Sequence, residues 1–263
     1  MARFCPLFSG SSGNCYYIGG ASGGILIDAG VSAKRIAFAM NEMAINPNCI
    51  EAIFVTHEHS DHINGLRVFA SRIGCEVFSS AGTLQKMHIM GHLSAGFKAE
   101  VIDSKGMEAA GMFIKPFATP HDSCDSIGYT VKTEDQRSVA IATDLGCITD
   151  EVRESMQGSD LVVIESNHDV SMLKNGRYPH YLKRRILSEQ GHLSNDCCAT
   201  ELPLLVKTGT TRIFLAHLSR ENNAPQLAYQ TALTALGAAE MQENIDFTLD
   251  VSPVCQPQKV TIF

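Results

Sequence analysis

The apolar and polar positions of the 263-residue chain alternate in a way that predicts a series of β-strands and α-helices. Short runs rich in Val, Ile, Leu and Phe, bounded by Gly, Pro, Asn or Asp, are typical of buried strands. Apolar residues three and four positions apart, preceded by a capping residue such as Ser, are typical of helices. Strands are predicted at 3–8, 14–18, 24–30, 53–56, 76–79, 112–119, 126–132, 138–143, 160–166 and 211–216 and within 246–263, and helices at 32–44, 63–73, 83–88, 194–206 and 225–236.

Four residues of metal-ligating type follow the predicted strand at 53–56: His57, His59, Asp61 and His62. If the chain stays extended beyond this strand, the period of two points the first three to one side, and a tight bend brings His62 to a neighbouring centre. Two imidazoles suit Zn, Fe or Mn, whereas a carboxylate and an imidazole begin a second, more oxygen-rich centre. The alternative, a solvated His-rich loop, explains this density of ligands poorly.

The segment His57-Glu58-His59-Ser60-Asp61-His62 resembles the His-x-His-x-Asp-His signature of the metallo-β-lactamase fold superfamily. The Gly-Ser-Ser-Gly-Asn run at 10–14 is similar to the start of its YycJ (WalJ) branch, and RNase Z-like nucleases are more distantly similar. The resemblance implies one α/β domain over 1–263. Its expected architecture is an αββα sandwich of two similar halves, with two mixed sheets packed face to face, helices outside and a dinuclear metal site along one edge.

Residues after other predicted strands match further positions of the superfamily's site. Asp144 matches a bridging carboxylate, which would neutralise charge at both metals and hold them roughly 3.5–4 Å apart. Asp28 matches a residue that braces the His loop through hydrogen bonds, although Asp is also common in turns. Zinc is the expected metal, with manganese or iron as alternatives. The resemblance implies His57, His59 and His121 at the first metal and Asp61, His62 and His217 at the second, with Asp144 between them.

Two further residues, together with Asp61, are the implied catalytic residues. Glu165 ends a buried run and resembles the acidic position of the RNase Z and YycJ branches, where an acid orients a catalytic His. The alternative is that Glu165 and His168 only satisfy loop backbone. His192 precedes a predicted helix and resembles the Gly-His-Ser/Leu-Ser/Thr element of RNase Z-like enzymes, which implies a role at the scissile phosphate. A His in a capping loop is the alternative.

The segment 174–185 carries five cationic residues and no acid, in a protein of formal net charge −7. Such a stretch suits the path of a polyanion, with Tyr178 and Tyr181 available for stacking, and a solvated helix start is the alternative. The Gly/Ser loop at 9–13 is either a hairpin turn or a source of N–H groups for a phosphate. The predicted substrate contacts are Lys183, Arg184 and Arg185.

The composition, 44% hydrophobic, allows a large buried core. The chain has no apolar run long enough to cross a bilayer, and Pro6 and Gly10 interrupt the apolar start, so a cytoplasmic protein is expected. Nine cysteines without a repeated spacing favour small buried hydrophobes over a disulfide framework. His88 and His92 have no neighbouring carboxylate and are predicted to lie on the surface.

These features predict a metal-dependent hydrolase. The most favoured activity is a phosphodiesterase or exonuclease-like nuclease that acts on DNA or RNA through a hydroxide bridging two metals. His62 and Asp144 argue against β-lactamases, which generally lack both, and His59 stands where flavodiiron oxidoreductases usually carry an acid. The main alternative is a small-molecule phosphodiester or thioester hydrolase of the same fold. A third is a non-catalytic nucleic-acid-binding or regulatory protein that keeps its metals for stability.

Overall fold

The computed structural model describes residues 1–254 and 257–263, and the described strands form two mixed sheets of seven strands each. The chain divides into two units. The prediction of one domain over 1–263 therefore stays a prediction. The first unit comprises Met1–Pro116, Ser123–Arg137 and Pro253–Phe263, and the second comprises Phe117–Asp122 and Ser138–Ser252.

One sheet lies within the first unit, in the order β14-β1-β2-β3-β4-β5-β6. Strands β1 to β3 are antiparallel neighbours, whereas β3 to β6 run parallel and are joined by helices. Parallel neighbours require such crossovers, which bring the carboxyl ends of successive strands to one edge. The strands are β1 (Arg3–Phe8), β2 (Cys15–Gly19), β3 (Gly24–Ile27), β4 (Ile50–Phe54), β5 (Glu76–Ser79), β6 (Ala99–Val101) and β14 (Thr261–Ile262), and the crossover helices are α1 (Ala33–Glu42), α3 (Leu66–Ile73) and α4 (Ala81–Ile89).

Four strands of the second unit run parallel in the order β10-β11-β12-β13. Each successive pair is joined by at least one helix. Residues that follow β10, β11 and β12 are therefore brought to the same edge. The strands are β10 (Ser138–Ala142), β11 (Leu161–Glu165), β12 (Arg212–Ala216) and β13 (Thr248–Val251), and the helices are α5 (Asp150–Met156), α6 (Val170–Asn175), α7 (His180–Ile186), α8 (Asn195–Lys207) and α9 (Pro225–Ala238).

Three strands and one short helix complete the fold. Strands β7 (Met107–Ala109) and β8 (Met112–Ala118) form an antiparallel hairpin, and β9 (Ile127–Lys132) follows them along the chain. A four-residue helix, α2 (Ser60–Ile63), lies in the His-rich segment after β4. Strands β6 and β7 were not predicted, because each has three residues and carries an exposed glutamate in place of an apolar run.

Each unit has its own apolar core. Predicted helices contribute to it with apolar residues at helical spacing. In α1, Ile36, Ala39 and Met40 lie three and four positions apart and are buried in the core of the first unit. In α8, Leu202 and Leu205 are buried in the core of the second unit. Removing such a leucine side chain usually costs about 2–5 kcal/mol of stability. The strand ends that carry the polar residues are thus held by packed interiors.

Two predicted helices begin at a serine, and only one of these serines is a side-chain cap. Ser194 caps α8, since its hydroxyl accepts a hydrogen bond from the backbone N–H of Cys197. Ser32 stands at the N-cap position of α1 but makes no side-chain capping bond. The cysteines of the described ranges are free thiols, and four of them are buried as predicted, whereas Cys124 and Cys197 are exposed, contrary to the prediction. No helix in those ranges is both long enough and apolar enough to span a membrane.

Candidate functional site

In the first unit, Asp28 holds the His-rich segment. This carboxylate follows β3, is fully buried, and accepts a hydrogen bond of 2.8 Å from the backbone N–H of Thr56. The His62 Nδ1 atom lies 2.7 Å from Asp28 Oδ2, and the Thr56 hydroxyl lies 3.0 Å from His57 Nδ1. Burial raises the pKa of Asp28, although His62 and Thr56 favour its ionised form. Because both Nδ1 atoms have partners, His57 and His62 would bind a metal through their Nε2 atoms, which lie 3.0 Å from His59 Nδ1 and from Asn14 Nδ2, respectively.

The His-rich segment does not stay extended, contrary to the condition on which the period-of-two prediction rested. His59 occupies the N-cap position of α2, and the N–H of His62 donates to the carbonyl of His59 at 2.9 Å. The N–H of Ala29 donates to the carbonyl of His62, which ties this turn to the end of β3. A helical turn rather than strand alternation therefore places Asp61 and His62. His57 and His59 remain close, with 3.0 Å between Nε2 and Nδ1.

In the second unit, Glu165 joins two imidazoles. Its Oε1 atom lies 2.8 Å from His192 Nδ1 and 2.8 Å from His217 Nδ1. Its Oε2 atom accepts the backbone N–H groups of Leu145 at 2.9 Å and Leu193 at 3.2 Å. Burial raises the pKa of Glu165, but the two imidazoles outweigh this effect and bring the pKa to about 2. We call Glu165, His192 and His217 the carboxylate–imidazole cluster.

The hydrogen bonds to Glu165 determine which ring nitrogens of His192 and His217 carry a proton. An ionised carboxylate only accepts hydrogen bonds, so His192 and His217 each direct an Nδ1–H group to Glu165. Their Nε2 atoms are then the basic nitrogens, or the proton-donating ones when an imidazole is charged. His192 is the more accessible ring, with a side chain 15% exposed against 3% for His217. One buried acid therefore orients two imidazoles, of which His192 is partly accessible and His217 is buried.

Asp144 and His121 lie beside the cluster in the same unit. Ligand atoms of Asp144, Glu165, His192 and His217 all lie within 4.8 Å of one another, and the Asp144 Oδ1 atom is 3.3 Å from His217 Nδ1. His121 Nδ1 lies 3.0 Å from the Gly191 carbonyl, to which it donates, and its Nε2 atom is 3.9 Å from Asp144 Oδ1. Burial lowers the pKa of His121 and so favours the neutral form that binds metals.

Three residues of the candidate site have a strained backbone. Asp28, Asp144 and His217 have φ angles of 62°, 58° and 54°, in the left-handed region that non-glycine residues seldom adopt. Asp28 and His217 come directly after the last paired residue of their strands, and Asp144 comes after its strand with one residue between. Such conformations cost about 1–3 kcal/mol and persist where the surrounding structure enforces them, often at functional sites. The three strained residues therefore mark the ends of β3, β10 and β12 as candidate functional positions.

The predicted substrate contacts have unequal surroundings. The Lys183 ammonium donates to the carbonyls of Lys174 at 2.8 Å and Gly176 at 2.7 Å. Arg185 donates through Nη2 to Asp122 Oδ1 at 2.9 Å, and its Nε atom also bonds to that carboxylate. Arg184 is exposed. Two of the three cations therefore have partners within the protein, and Arg184 is the one best placed for solvent and polyanions.

The structure also shows the surroundings of three further histidines and of two polar residues that the sequence analysis had not singled out. His168 is buried, its ring nitrogens have no hydrogen-bond partner among the described residues, and burial lowers its pKa to about 4. His88 is exposed, as predicted, and His92 is half-buried. Sequence reasoning overlooked Thr56 and Asn14, whose Nδ2 atom lies 3.0 Å from His62 Nε2. Thr56 could have been recognised as a polar residue at the end of an apolar strand, and Asn14 as the last residue of the Gly/Ser run.

Comparison with known proteins places the chain in a family. The sequence model of the beta-lactamase superfamily domain matches residues 24–218. The chain belongs to this superfamily. Exodeoxyribonuclease WalJ of Streptococcus pneumoniae is 35% identical to it over 255 residues, which cover 95% of this chain and 94% of that protein. Exodeoxyribonuclease YycJ of Bacillus anthracis is 36% identical over 227 residues, 86% of each chain.

A solved structure confirms the predicted fold class. The metallo-beta-lactamase fold protein YhfI from Bacillus subtilis superposes with a TM-score of 0.74 at 13% identity, covering 98% of this chain and 100% of that one. The chain therefore has the αββα fold of the superfamily. This fold implies bound divalent metal ions, and the residues present fit them. The nitrogen and oxygen donors of the second unit lie close together, and the partners at the Nδ1 atoms of His121 and His217 mean that these rings would bind a metal through Nε2.

Proposed function

We propose that this protein is a metal-dependent nuclease, an exodeoxyribonuclease that hydrolyses the phosphodiester bonds of DNA. The carboxylate–imidazole cluster carries the proposal, because one carboxylate oxygen lies 2.8 Å from the Nδ1 atoms of both His192 and His217. Such an arrangement supplies a metal ligand and a proton donor from adjacent rings. The two named relatives, both exodeoxyribonucleases, support DNA as the substrate. The free thiols support a reducing compartment, the cytoplasm.

The proposed metal site takes its ligands from the residues that the sequence singled out. When bound, two divalent ions lower the pKa of water and stabilise negative charge that develops on phosphate oxygens. The partners of the Nδ1 atoms in His57, His62, His121 and His217 support Nε2 ligation. Zinc suits this imidazole-rich set. The proposed ligands are His57, His59 and His121 for one ion, Asp61, His62 and His217 for the other, and Asp144 for both.

His192 is the proposed catalytic acid. Its Nδ1–H group is committed to Glu165, so the charged ring presents an Nε2–H group that can donate to the leaving oxygen of the phosphodiester. The same group can instead stabilise negative charge in the transition state. Glu165 is fully buried and acts through the two imidazoles, so its proposed role is to position them rather than to touch the substrate.

Substrate class is tested by comparing hydrolysis rates of the metal-loaded protein. The panel contains labelled single- and double-stranded DNA, the matching RNAs, bis-p-nitrophenyl phosphate and a thioester. We expect cleavage of DNA, weaker cleavage of the small phosphodiester, and no thioester hydrolysis, since His192 would serve an alkoxide leaving group at phosphorus. Thioester hydrolysis without any nuclease activity would overturn the proposal in favour of the small-molecule alternative.

The basic segment gives a second prediction in the same assays. Neutralising Lys183, Arg184 and Arg185 together should weaken DNA binding and its salt dependence. We expect Arg184→Gln alone to carry most of this loss and to reduce the slope of log K against log salt by about 0.7–0.9, the value for one phosphate contact. Lys183→Gln is the matched control, because its ammonium is bound to two carbonyls.

Binding is measured by fluorescence anisotropy at several salt concentrations, beside hydrolysis of bis-p-nitrophenyl phosphate. The small substrate should be cleaved at the same rate by Arg184→Gln and by Lys183→Gln, because it has no flanking phosphates for these cations to contact. Arg185 is left out of this comparison, since it bonds to Asp122, whose Oδ1 atom lies 3.4 Å from His121 Nε2. Equal losses on the small ester and on long DNA would show instead that these residues act in folding or at the reaction centre. An unchanged salt slope in Arg184→Gln would remove Arg184 from the DNA-binding surface.

A further inference from the structure

Two buried asparagines of the second unit form a reciprocal amide pair. The Asn195 Nδ2 atom donates to Asn223 Oδ1 at 2.9 Å, and the Asn223 Nδ2 atom donates to Asn195 Oδ1 at 2.9 Å. Their exposed fractions are 2% and 7%. Buried amides are costly unless their hydrogen bonds are made, and paired ones define a single geometry. The pair is therefore a specific structural feature, not a remnant of a polar surface.

The amide pair also contacts the backbone that follows Glu165. Asn223 Nδ2 lies 2.9 Å from the carbonyl of Ser166 and 3.0 Å from that of Asn167. The Ser166 hydroxyl donates to Asn195 Oδ1 at 2.7 Å. A side-chain amide has two hydrogens, so two of the three acceptors around Asn223 Nδ2 share one hydrogen. Asn223 thus fixes the first residues of the loop after β11.

Each member of the carboxylate–imidazole cluster lies on a segment that this pair joins. Glu165 directly precedes Ser166, His192 lies three residues before Asn195, and His217 lies six residues before Asn223. The parallel ladder between β11 and β12 ends at the pair of Glu165 and Ala216. Beyond this point, the spacing of the segments depends on loop hydrogen bonds such as those of the amide pair.

We propose that Asn195 and Asn223 are positioning residues for the carboxylate–imidazole cluster. They hold the three segments so that one Glu165 oxygen meets the Nδ1–H groups of both imidazoles. This inference deepens the proposed function and rests on it for its effect on catalysis. Displacing reacting groups by about 1 Å can cost about 10²-fold in rate. Losing the pair should therefore lower kcat and leave KM nearly unchanged, because neither asparagine is placed in contact with substrate.

The test replaces Asn223 with alanine and compares it with a core variant of similar stability. Val162→Ala is the control, because Val162 lies in the same unit, in the core of β11, away from the strand end. Asn195→Asp is a second variant that keeps the shape and one oxygen of the side chain but loses the donor to Asn223. We expect kcat on DNA to fall about 10–100-fold in both asparagine variants and to change little in Val162→Ala.

A spectroscopic measurement separates this inference from the proposed function. In the metal-free protein with 15N-labelled histidine, Nδ1–H groups bonded to Glu165 should give downfield proton resonances for His192 and His217. Asn223→Ala and Asn195→Asp should broaden or shift both resonances, whereas Val162→Ala should preserve them. Loss of these resonances in the asparagine variants would support the positioning role even if the wild-type protein cleaved no nucleic acid.

Combining the asparagine variants gives the decisive outcome. If Asn195 and Asn223 act as one unit, Asn195→Ala with Asn223→Ala should reduce kcat no further than the more damaging single change. Independent losses that multiply, or wild-type kcat and unchanged resonances in Asn223→Ala, would overturn the proposal. It would also be overturned if Val162→Ala gave the same loss at the same melting temperature, because the effect would then be one of general stability.

Discussion

Replacing His192 with alanine should lower kcat on DNA by about 10²–10⁴-fold, the usual contribution of one acid–base group. The metals should remain bound, because His192 is not among the proposed ligands, which are five histidines (His57, His59, His62, His121 and His217) and two aspartates (Asp61 and Asp144). The His192 Nδ1 atom is instead held by Glu165, whose Oε1 atom lies 2.8 Å away. kcat and metal content are measured on the same preparations.

The leaving group distinguishes the two roles open to His192. An activated p-nitrophenyl ester needs little protonation, so it should lose much less rate than DNA if His192 is an acid. The losses should be equal if His192 only stabilises charge. His88→Ala is a matched control, since it removes an exposed imidazole far along the chain from the cluster. Loss of metal in His192→Ala, or undiminished nuclease activity, would show that His192 has a different role.

Removing a ligand of the second proposed metal should have a comparably large effect. Asp61→Ala and His217→Ala should each reduce the bound ions from two to about one per chain. They should lower kcat by about 10³-fold or more, because an ion supplies several kcal/mol of charge stabilisation. His217→Ala should also remove one of the two hydrogen bonds that Glu165 makes to imidazoles. Elemental analysis and steady-state rates measure the two effects.

Asp103→Ala is the control for these ligand variants, because Asp103 is exposed and lies outside the proposed site. It should keep both ions and the wild-type rate. Full metal content and full activity in both Asp61→Ala and His217→Ala would contradict the dinuclear assignment. If one of the two variants fails to fold, the metal content and the rate of the other decide the assignment.

Features encoded locally could be predicted from the sequence. The strand at 76–79 was predicted with its observed bounds, because its apolar run is bounded by turn residues. The His-rich segment could be recognised because four residues of metal-ligating type lie within six positions. Helix α8 was predicted with Ser194 or Asn195 as its cap, since a capping residue before an apolar repeat is a local signal, and Ser194 is the cap. In each case the residues that determine the structure are neighbours in the chain.

Features that depend on distant contacts could not be predicted. The resemblance suggested that Glu165 orients a catalytic His, but the two imidazoles that meet it are 27 and 52 residues away in sequence, so the oxygen that they share is visible only in the fold. The ion pair of Arg185 with Asp122 spans 63 residues, and the sequence therefore presented Arg185 as a free cation. Asn195 and Asn223 resemble ordinary residues at helix starts until their reciprocal contact is seen. Long-range polar contacts carry no local pattern.

The central claim is that hydrolysis of DNA requires metal ions bound by these residues, and metal titration of the stripped protein tests it most directly. The protein is freed of metal with a chelator, and zinc or manganese is added back in steps while bound ions and cleavage of labelled DNA are measured together. We expect no cleavage without metal and full activity when about two ions are bound per chain. Cleavage that persists in the stripped protein, or full activity with no more than one ion bound, would contradict the account.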